Sequence, residues 1–197
     1  MPTTIGVLAL QGDFREHVAV LRSLGVDARE IRLPGQLDEL DGIIIPGGES
    51  TTIVQLIDAY GFRSAFPAAV RRGLAVWGTC AGMIAIAHEL TDPYPKPLDL
   101  IDIKVSRNWF GRQVDSFEID LELRGIQGGP FHAVFIRAPI VASAGPGVET
   151  LASLDDVAVA VRSGKIMATA FHPELTGDSR VHRMFAEIAE SEHKGEA

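Results

Sequence analysis

Short runs of apolar residues recur through the first half of the chain, and each stops at a glycine-bearing turn. Residues 5–10 run into Gln11-Gly12-Asp13, residues 42–45 into Pro46-Gly47-Gly48, and residues 74–77 into Gly78. A strand that is apolar at every position is buried on both faces, which is the condition of strands in a parallel sheet. Parallel neighbours need a crossover, usually a helix. The intervening segments supply one each time. Apolar residues fall at Phe14, Val18, Leu21 and Leu24, with Asp13 at the N-cap position and Gly25 as the stop. A short strand over residues 26–31 and the Pro34-Gly35 turn follow. Helical spacing returns at Ile53, Leu56, Ile57 and Tyr60, with Ser50 or Thr51 as the expected cap, and again over residues 62–72. The strand at 74–77 then leads into a helix expected over 81–90.

The second half reads differently. Asp92-Pro93-Tyr94-Pro95-Lys96-Pro97 is incompatible with a helix. Beyond it, apolar or alternating segments suit strands at 100–105, 114–123, 133–136, 157–161 and 166–171, and a last helix is expected over 181–188. The fold class expected is α/β: a three-layer, mostly parallel central sheet with helices on both faces and an added antiparallel portion. With 197 residues, 46% of them apolar, the chain has the material for one domain spanning residues 1–197.

The turn Gly78-Thr79-Cys80-Ala81-Gly82 holds the only cysteine between two glycines, after a strand and before a helix. That is the form of a nucleophile elbow, a sharp strand-to-helix turn that exposes its central side chain. A helix beginning at Ala81 points its free N–H groups and the positive end of its dipole at the sulfur, which suits a nucleophile. A small buried residue in a tight turn remains the alternative. The loop Pro46-Gly47-Gly48-Glu49-Ser50 also joins a strand to a helix. It lacks the lysine of a phosphate-binding loop, but its glycines allow backbone N–H groups to turn toward an oxyanion.

A thiolate works with a base. Of the six histidines, His17 and His88 fall in helical stretches, His182 and His193 in the polar C-terminal segment, and His132 beside a turn. None pairs at zinc-ligand spacing, and no metal is expected. His172 follows an apolar strand and opens His172-Pro173-Glu174. Extended backbone before proline lets residues two apart project to the same side, so Glu174 is placed to orient the imidazole. A solvated strand-end histidine beside a surface glutamate is the alternative reading of that tripeptide alone.

Together the elbow, the loop and the His-x-Glu resemble, in type and order, the class I, triad-type glutamine amidotransferases. A narrower resemblance covers nearly the whole chain. It rests on residues 6–12, 46–52 and 78–83, on Arg107-Asn108-x-Phe110-Gly111-Arg112-Gln113 and Asp115-Ser116-Phe117-Glu118, and on Phe135-Ile136-Arg137-Ala138-Pro139 and residues 171–176. These segments resemble the glutaminase subunits of two-component pyridoxal 5′-phosphate synthases, with Trp109 a mild variation.

The resemblance implies a class I glutamine amidotransferase-like (flavodoxin-like) fold and hydrolysis of L-glutamine to glutamate and ammonia without a cofactor. It makes Cys80 the nucleophile, His172 the proton carrier and Glu174 its orienter, with the oxyanion held at Ala81, Gly47 and Gly48. Gly48, Glu49, Ser50, Arg107, Ile136 and Arg137 match the family's glutamine-binding positions, and Gln11 a region at the subunit interface. The implied partner is a barrel-fold synthase subunit in a hetero-oligomeric complex, which makes pyridoxal 5′-phosphate from ribose 5-phosphate, glyceraldehyde 3-phosphate and the ammonia.

The net charge of −8, with Arg71-Arg72 the longest basic run, argues against a nucleic-acid surface. The N-terminal apolar run is too short to span a bilayer, and a single cysteine cannot form an intramolecular disulfide, so a cytoplasmic protein is expected. The rival readings are a glutaminase subunit of histidine biosynthesis, a stand-alone γ-glutamyl hydrolase, a cysteine hydrolase or redox chaperone sharing the elbow, and a binding module that keeps the fold without the reaction.

Overall fold

The computed structural model of the chain describes residues 3–107 and 116–191. Asn108, Trp109, Phe110, Gly111, Arg112, Gln113 and Asp115 of the resemblance, the start of the strand expected at 114–123, and His193 lie outside the described residues. The N-terminal half alternates strand and helix as its apolar spacing predicts: β1 (Thr4–Leu8), α1 (Phe14–Ser23), β2 (Asp27–Ile31), β3 (Gly42–Ile45), α2 (Ser50–Ala59), α3 (Phe62–Arg71), β4 (Ala75–Thr79) and α4 (Ala81–Ile86). The remainder is strand-rich: β5 (Ala87–Leu90), β6 (Ile101–Ser106), β7 (Ser116–Leu121), β8 (Phe131–Ile136), β9 (Ile140–Ala144), β10 (Glu149–Leu154), β11 (Val157–Ser163) and β12 (Ile166–Thr169), then α5 (Arg180–Glu190).

One sheet runs in the order β2-β1-β3-β4-β12-β11-β9-β6-β5, with β10 on β11, while β7 and β8 form a separate ribbon. The five strands β2, β1, β3, β4 and β12 are mutually parallel. From β12 outward, β11, β9 and β6 pair antiparallel, which is the added portion. Every residue of β3, β4 and β12 is buried, as continuous apolar runs demand when both faces are covered.

Alternation along β4 assigns the two faces. Trp77 meets Phe185 and His182 of α5 and His17 of α1, whereas Gly78 lies against the backbone of Gly82 in α4. The helices divide accordingly, α1 packing with α5, and α2 with both α3 and α4. Among the described residues, no helix is long and apolar enough to cross a membrane.

Two departures from the expected elements have a local cause. The helix expected over 81–90 ends at Ile86, and Ala87–Leu90 becomes an edge strand parallel to β6. The N–H groups of Leu98, Leu100 and Asp99 bond the carbonyls of Ala85, Ile86 and Ala87 and so close the helix end. With Ala87 and Leu90 buried and His88 and Glu89 exposed, the segment fits helical or strand spacing equally in so few residues. Strands β9 and β10 were not expected, because their Ala-, Ser- and Glu-containing segments lack a long β-branched run and are placed by pairing with β6 and β11.

The elbow glycines are set by this packing. A Cβ on Gly82 would overlap the carbonyl oxygen of Ile45, while one on Gly35 would meet nothing within 4 Å. Gly82→Ala should therefore lower stability in urea unfolding by about 1–3 kcal/mol. Gly35→Ala should leave it within about 0.5 kcal/mol.

Candidate active site

Cys80 and His172 are brought together by two adjacent parallel strands. In the pairing of β4 with β12, Thr79 lies opposite Thr169, and the Cys80 N–H bonds the Thr169 carbonyl at 2.8 Å. Each functional residue thus leaves the carboxyl end of a strand, where open α/β sheets form their crevices. Cys80 has φ 49° and ψ −105°, a conformation that L-residues rarely adopt, and it serves as N-cap of α4. Its Sγ stands 3.8 Å from the carbonyl oxygen of Ile136. Arg137 next to it also takes positive φ, 43°, in the turn from β8 to β9.

His172 is 4% exposed at the N-cap of a 3-10 turn in which Glu174 is 6% exposed. The His172 N–H bonds the Val134 carbonyl of β8 at 2.8 Å. Nδ1 of its ring lies 2.7 Å from Glu174 Oε1, the separation of a charge-assisted hydrogen bond. Cys80 and the His172 ring line the same cavity. Burial disfavours the imidazolium, but the hydrogen bonds and charges of Cys80 and Glu174 outweigh it, and the His172 pKa is pushed up to about 10. Burial raises the Glu174 carboxyl above its usual range, opposed by the hydrogen bond and charge of His172.

Every expected binding residue except those set behind the wall lines one cavity. Gln11, Gly48, Glu49, Ser50, Arg107, Ile136 and Arg137 surround a space of about 410 Å³ together with Cys80, Ala81 and His172. Gly47 lies behind, where a Cβ would press on the His172 ring, and its carbonyl accepts the Asp13 N–H at 3.0 Å. The Glu49 N–H is bonded to Gln11 Oε1 at 3.0 Å. The loop is thereby pinned to the turn after β1.

Two capping expectations are corrected. Neither Ser50 nor Thr51 caps α2; the Glu49 carboxylate does, accepting from the N–H groups of Thr51 and Thr52 at 3.1 and 2.7 Å. A carboxylate reaches N–H groups two and three residues on and also answers the helix dipole. Asp13 occupies the N-cap position of α1, yet its side chain makes no capping bond. Its Oδ2 lies 3.7 Å from His172 Nδ1, and burial raises its pKa against the lowering pull of His172.

Sequence reasoning did not single out Asp13 as a neighbour of the imidazole, nor His17, which meets the far oxygen of Glu174 at 3.3 Å. The capping role hid the first, and helical core spacing the second. Asp13, His172 and Glu174 offer ligand atoms within 4.8 Å of one another, the one such trio among the described residues. Both carboxylates face the same ring nitrogen, an arrangement that suits an imidazolium.

A buried thiol paired with an imidazolium, beside backbone N–H groups and two guanidiniums, is equipped for acyl transfer from a small substrate that carries a carboxylate. The model of the SNO glutamine amidotransferase family matches residues 7–191. The chain belongs to that family. Its relatives include the pyridoxal 5′-phosphate synthase subunit PdxT of Parafrankia sp., 57% identical over 95% of this chain and 94% of that one. PdxT of Thermus thermophilus is 53% identical over 96% and 99% of the two chains.

A solved glutamine amidotransferase superposes on this family member with a TM-score of 0.90 at 51% identity, covering 95% of this chain and 99% of the other. The Thermotoga maritima PurLQS structure shares the fold alone, with a TM-score of 0.71 at 15% identity over 96% and 99% of the chains.

The His172 shift also fixes a pH dependence. Its folded pKa, about 10, lies above the usual 6.5, so the stability it contributes is present in full below pH 6.5 and is lost as pH rises through 10. Urea unfolding of wild type and His172→Gln should show a stability difference that shrinks over that interval.

Proposed function

We propose that this chain hydrolyses L-glutamine to L-glutamate and ammonia in the cytoplasm and passes the ammonia to a barrel-fold synthase subunit. That subunit would use it, with ribose 5-phosphate and glyceraldehyde 3-phosphate, to build pyridoxal 5′-phosphate. The observation that carries the reading is Cys80 and His172 on the wall of a cavity that also holds Arg107 and Arg137, with Glu174 bonded to the His172 ring behind it. Family membership and the PdxT relatives support the choice of substrate and partner.

The proposed steps are those of covalent acyl transfer. The Cys80 thiolate attacks the side-chain amide carbon of glutamine, and the carbonyl π pair moves onto oxygen. The Ala81 N–H and the Gly47-Gly48 loop receive that oxyanion. Planarity of the Gly47–Gly48 peptide turns the Gly48 N–H away from Asp13, to which the Gly47 carbonyl points. One such donor is worth about 3 kcal/mol of transition-state stabilisation.

The imidazolium of His172 then protonates the departing nitrogen, the C–N bond breaks, and ammonia leaves a γ-glutamyl thioester. Water adds to the thioester carbon as His172 takes its proton, and the thiolate departs with release of glutamate. Glu174 holds the imidazole in the tautomer that presents its other nitrogen to sulfur. Arg107 and Arg137 match the α-carboxylate in charge and hydrogen-bonding geometry. Gln11 would lie at the interface with that subunit.

Cys80→Ala should lower glutaminase turnover of the mixture with the synthase subunit by at least roughly a thousandfold, as loss of a covalent nucleophile does elsewhere. Ammonia release and glutamine-dependent pyridoxal 5′-phosphate formation are the measurements. A glutamine-analogue electrophile should label Cys80 in the wild-type complex, detected by mass spectrometry. Unchanged turnover in the variant would reject the reading.

A further inference from the structure

Behind the triad lies a second buried pair of imidazoles that the reaction as written does not use. His17 of α1 and His182 of α5 are both 0% exposed. His17 Nδ1 lies 2.9 Å from His182 Nε2, and His17 Nε2 lies 3.3 Å from Glu174 Oε2 and 3.3 Å from Thr79 Oγ1. Glu174 therefore stands between two histidines, with Oε1 on His172 and Oε2 toward His17. The Trp77 ring packs against both rings of the second pair.

The partners decide where the protons sit. Burial holds both His17 and His182 below their ordinary pKa, so each ring is neutral and carries one N–H. One arrangement gives His17 its proton on Nε2, facing the carboxylate and the Thr79 hydroxyl, while His182 donates from Nε2 to His17 Nδ1. What remains unbonded is a bare lone pair on His182 Nδ1. The opposite arrangement sets the His17 Nε2 lone pair against the Glu174 carboxylate and buries an N–H at His182 Nδ1 without a partner.

His182 Nδ1 and Glu174 Oε2 are the two buried side-chain polar atoms among the described residues that make no regular hydrogen bond. Only the first arrangement leaves both at little cost. An unpaired acceptor is tolerated more readily than an unpaired donor, and a donor shared with Thr79 faces the carboxylate.

We propose that His17, fixed in its tautomer by His182, is a positioning residue of the triad: its Nε2–H, bonded to Thr79 Oγ1, stands 3.3 Å from Glu174 Oε2 and by its electrostatic pull keeps that carboxylate turned with Oε1 on His172. The idea rests on the reading of Cys80, His172 and Glu174 as the reacting set. The groups facing His17 are Glu174 and His172 from the segment after β12, Thr79 from β4 and His182 from α5. Asp13, in the turn before α1, faces the same His172 Nδ1 that Glu174 holds.

The test uses the complex with the synthase subunit. His17→Phe keeps a ring against Trp77 and removes the N–H, and His17→Gln restores a donor. The first should lower glutaminase kcat roughly 10- to 100-fold, the scale of a small misplacement of a catalytic group. It should leave KM within about twofold and move the alkaline limb of the pH profile to lower pH, because a loosened Glu174 supports the imidazolium less.

His17→Gln should return both kcat and the limb toward wild type. A purely structural role would reduce amplitude in step with folded fraction and leave the limb in place, which would overturn the proposal, as would unchanged kcat in folded His17→Phe. Should that variant not fold, nitrogen-15 NMR of the wild-type imidazoles decides: protonation of His17 at Nε2 supports the proposal and protonation at Nδ1 overturns it. Glu174→Gln serves as the control. Full turnover there would reject the triad itself and the proposal with it, whereas loss there with none in His17→Phe rejects only the role of His17.

Discussion

Cys80 is held at φ 49° and ψ −105°, a backbone state that costs an ordinary residue about 1–3 kcal/mol. The surroundings leave it no other course. Its N–H is bonded to Thr169 of the neighbouring strand, its carbonyl accepts the Ile84 N–H, and the glycines on either side have packed until neither accepts a side chain. β4 lies between β3 and β12, so the strand cannot slide to relieve the turn without breaking two parallel ladders. The strain is therefore maintained by the whole parallel core, and the result is a sulfur displayed at the carboxyl end of a central strand, 3.8 Å from the Ile136 carbonyl.

That same ladder recruits residues from distant parts of the chain. β12 delivers His172 and Glu174 beside an elbow formed about half the chain earlier, and the His172 N–H anchors the turn to β8. β8 continues into Ile136 and Arg137, whose positive φ turns the chain along the cavity wall. On the other side, the Gln11–Asp13 turn and the Pro46–Ser50 loop meet through backbone contact at Gly12 and Gly47 and through the Gln11 bond to Glu49. Among the described residues, the cavity wall is thus built where several strand ends converge.

What was legible in the sequence follows from this geometry. Fully apolar runs reveal strands covered on both faces, and the glycines at 78 and 82 reveal a turn with no room, so β1, β3, β4 and the elbow were readable. The His-x-Glu tripeptide was readable as a pair, although a 3-10 turn after β12, rather than the extended backbone expected, brings the two side chains together. Less was written into residues whose role depends on a partner far along the chain. His17 has the spacing of a core helix residue, and nothing near it in sequence announces Glu174 or His182. Asp13 has the signature of a helix cap, and only the arrival of His172 beside it makes it part of the site. β5, β9 and β10 were missed for a related reason, since pairing rather than intrinsic preference makes them strands.

The burial of Glu174 ties these levels together. A carboxylate taken out of water without compensation would be neutral, and burial does push its pKa up. An imidazolium at 2.7 Å supplies the opposing charge, and that imidazolium is in turn favoured, despite its own burial, by the sulfur on its far side and the carboxylate. His172 and Glu174 thus each depend on the ionic form of the other, and both are buried. Such a set titrates as a unit. Its position is fixed less by the strength of one contact than by the fold's refusal to let any member reach solvent.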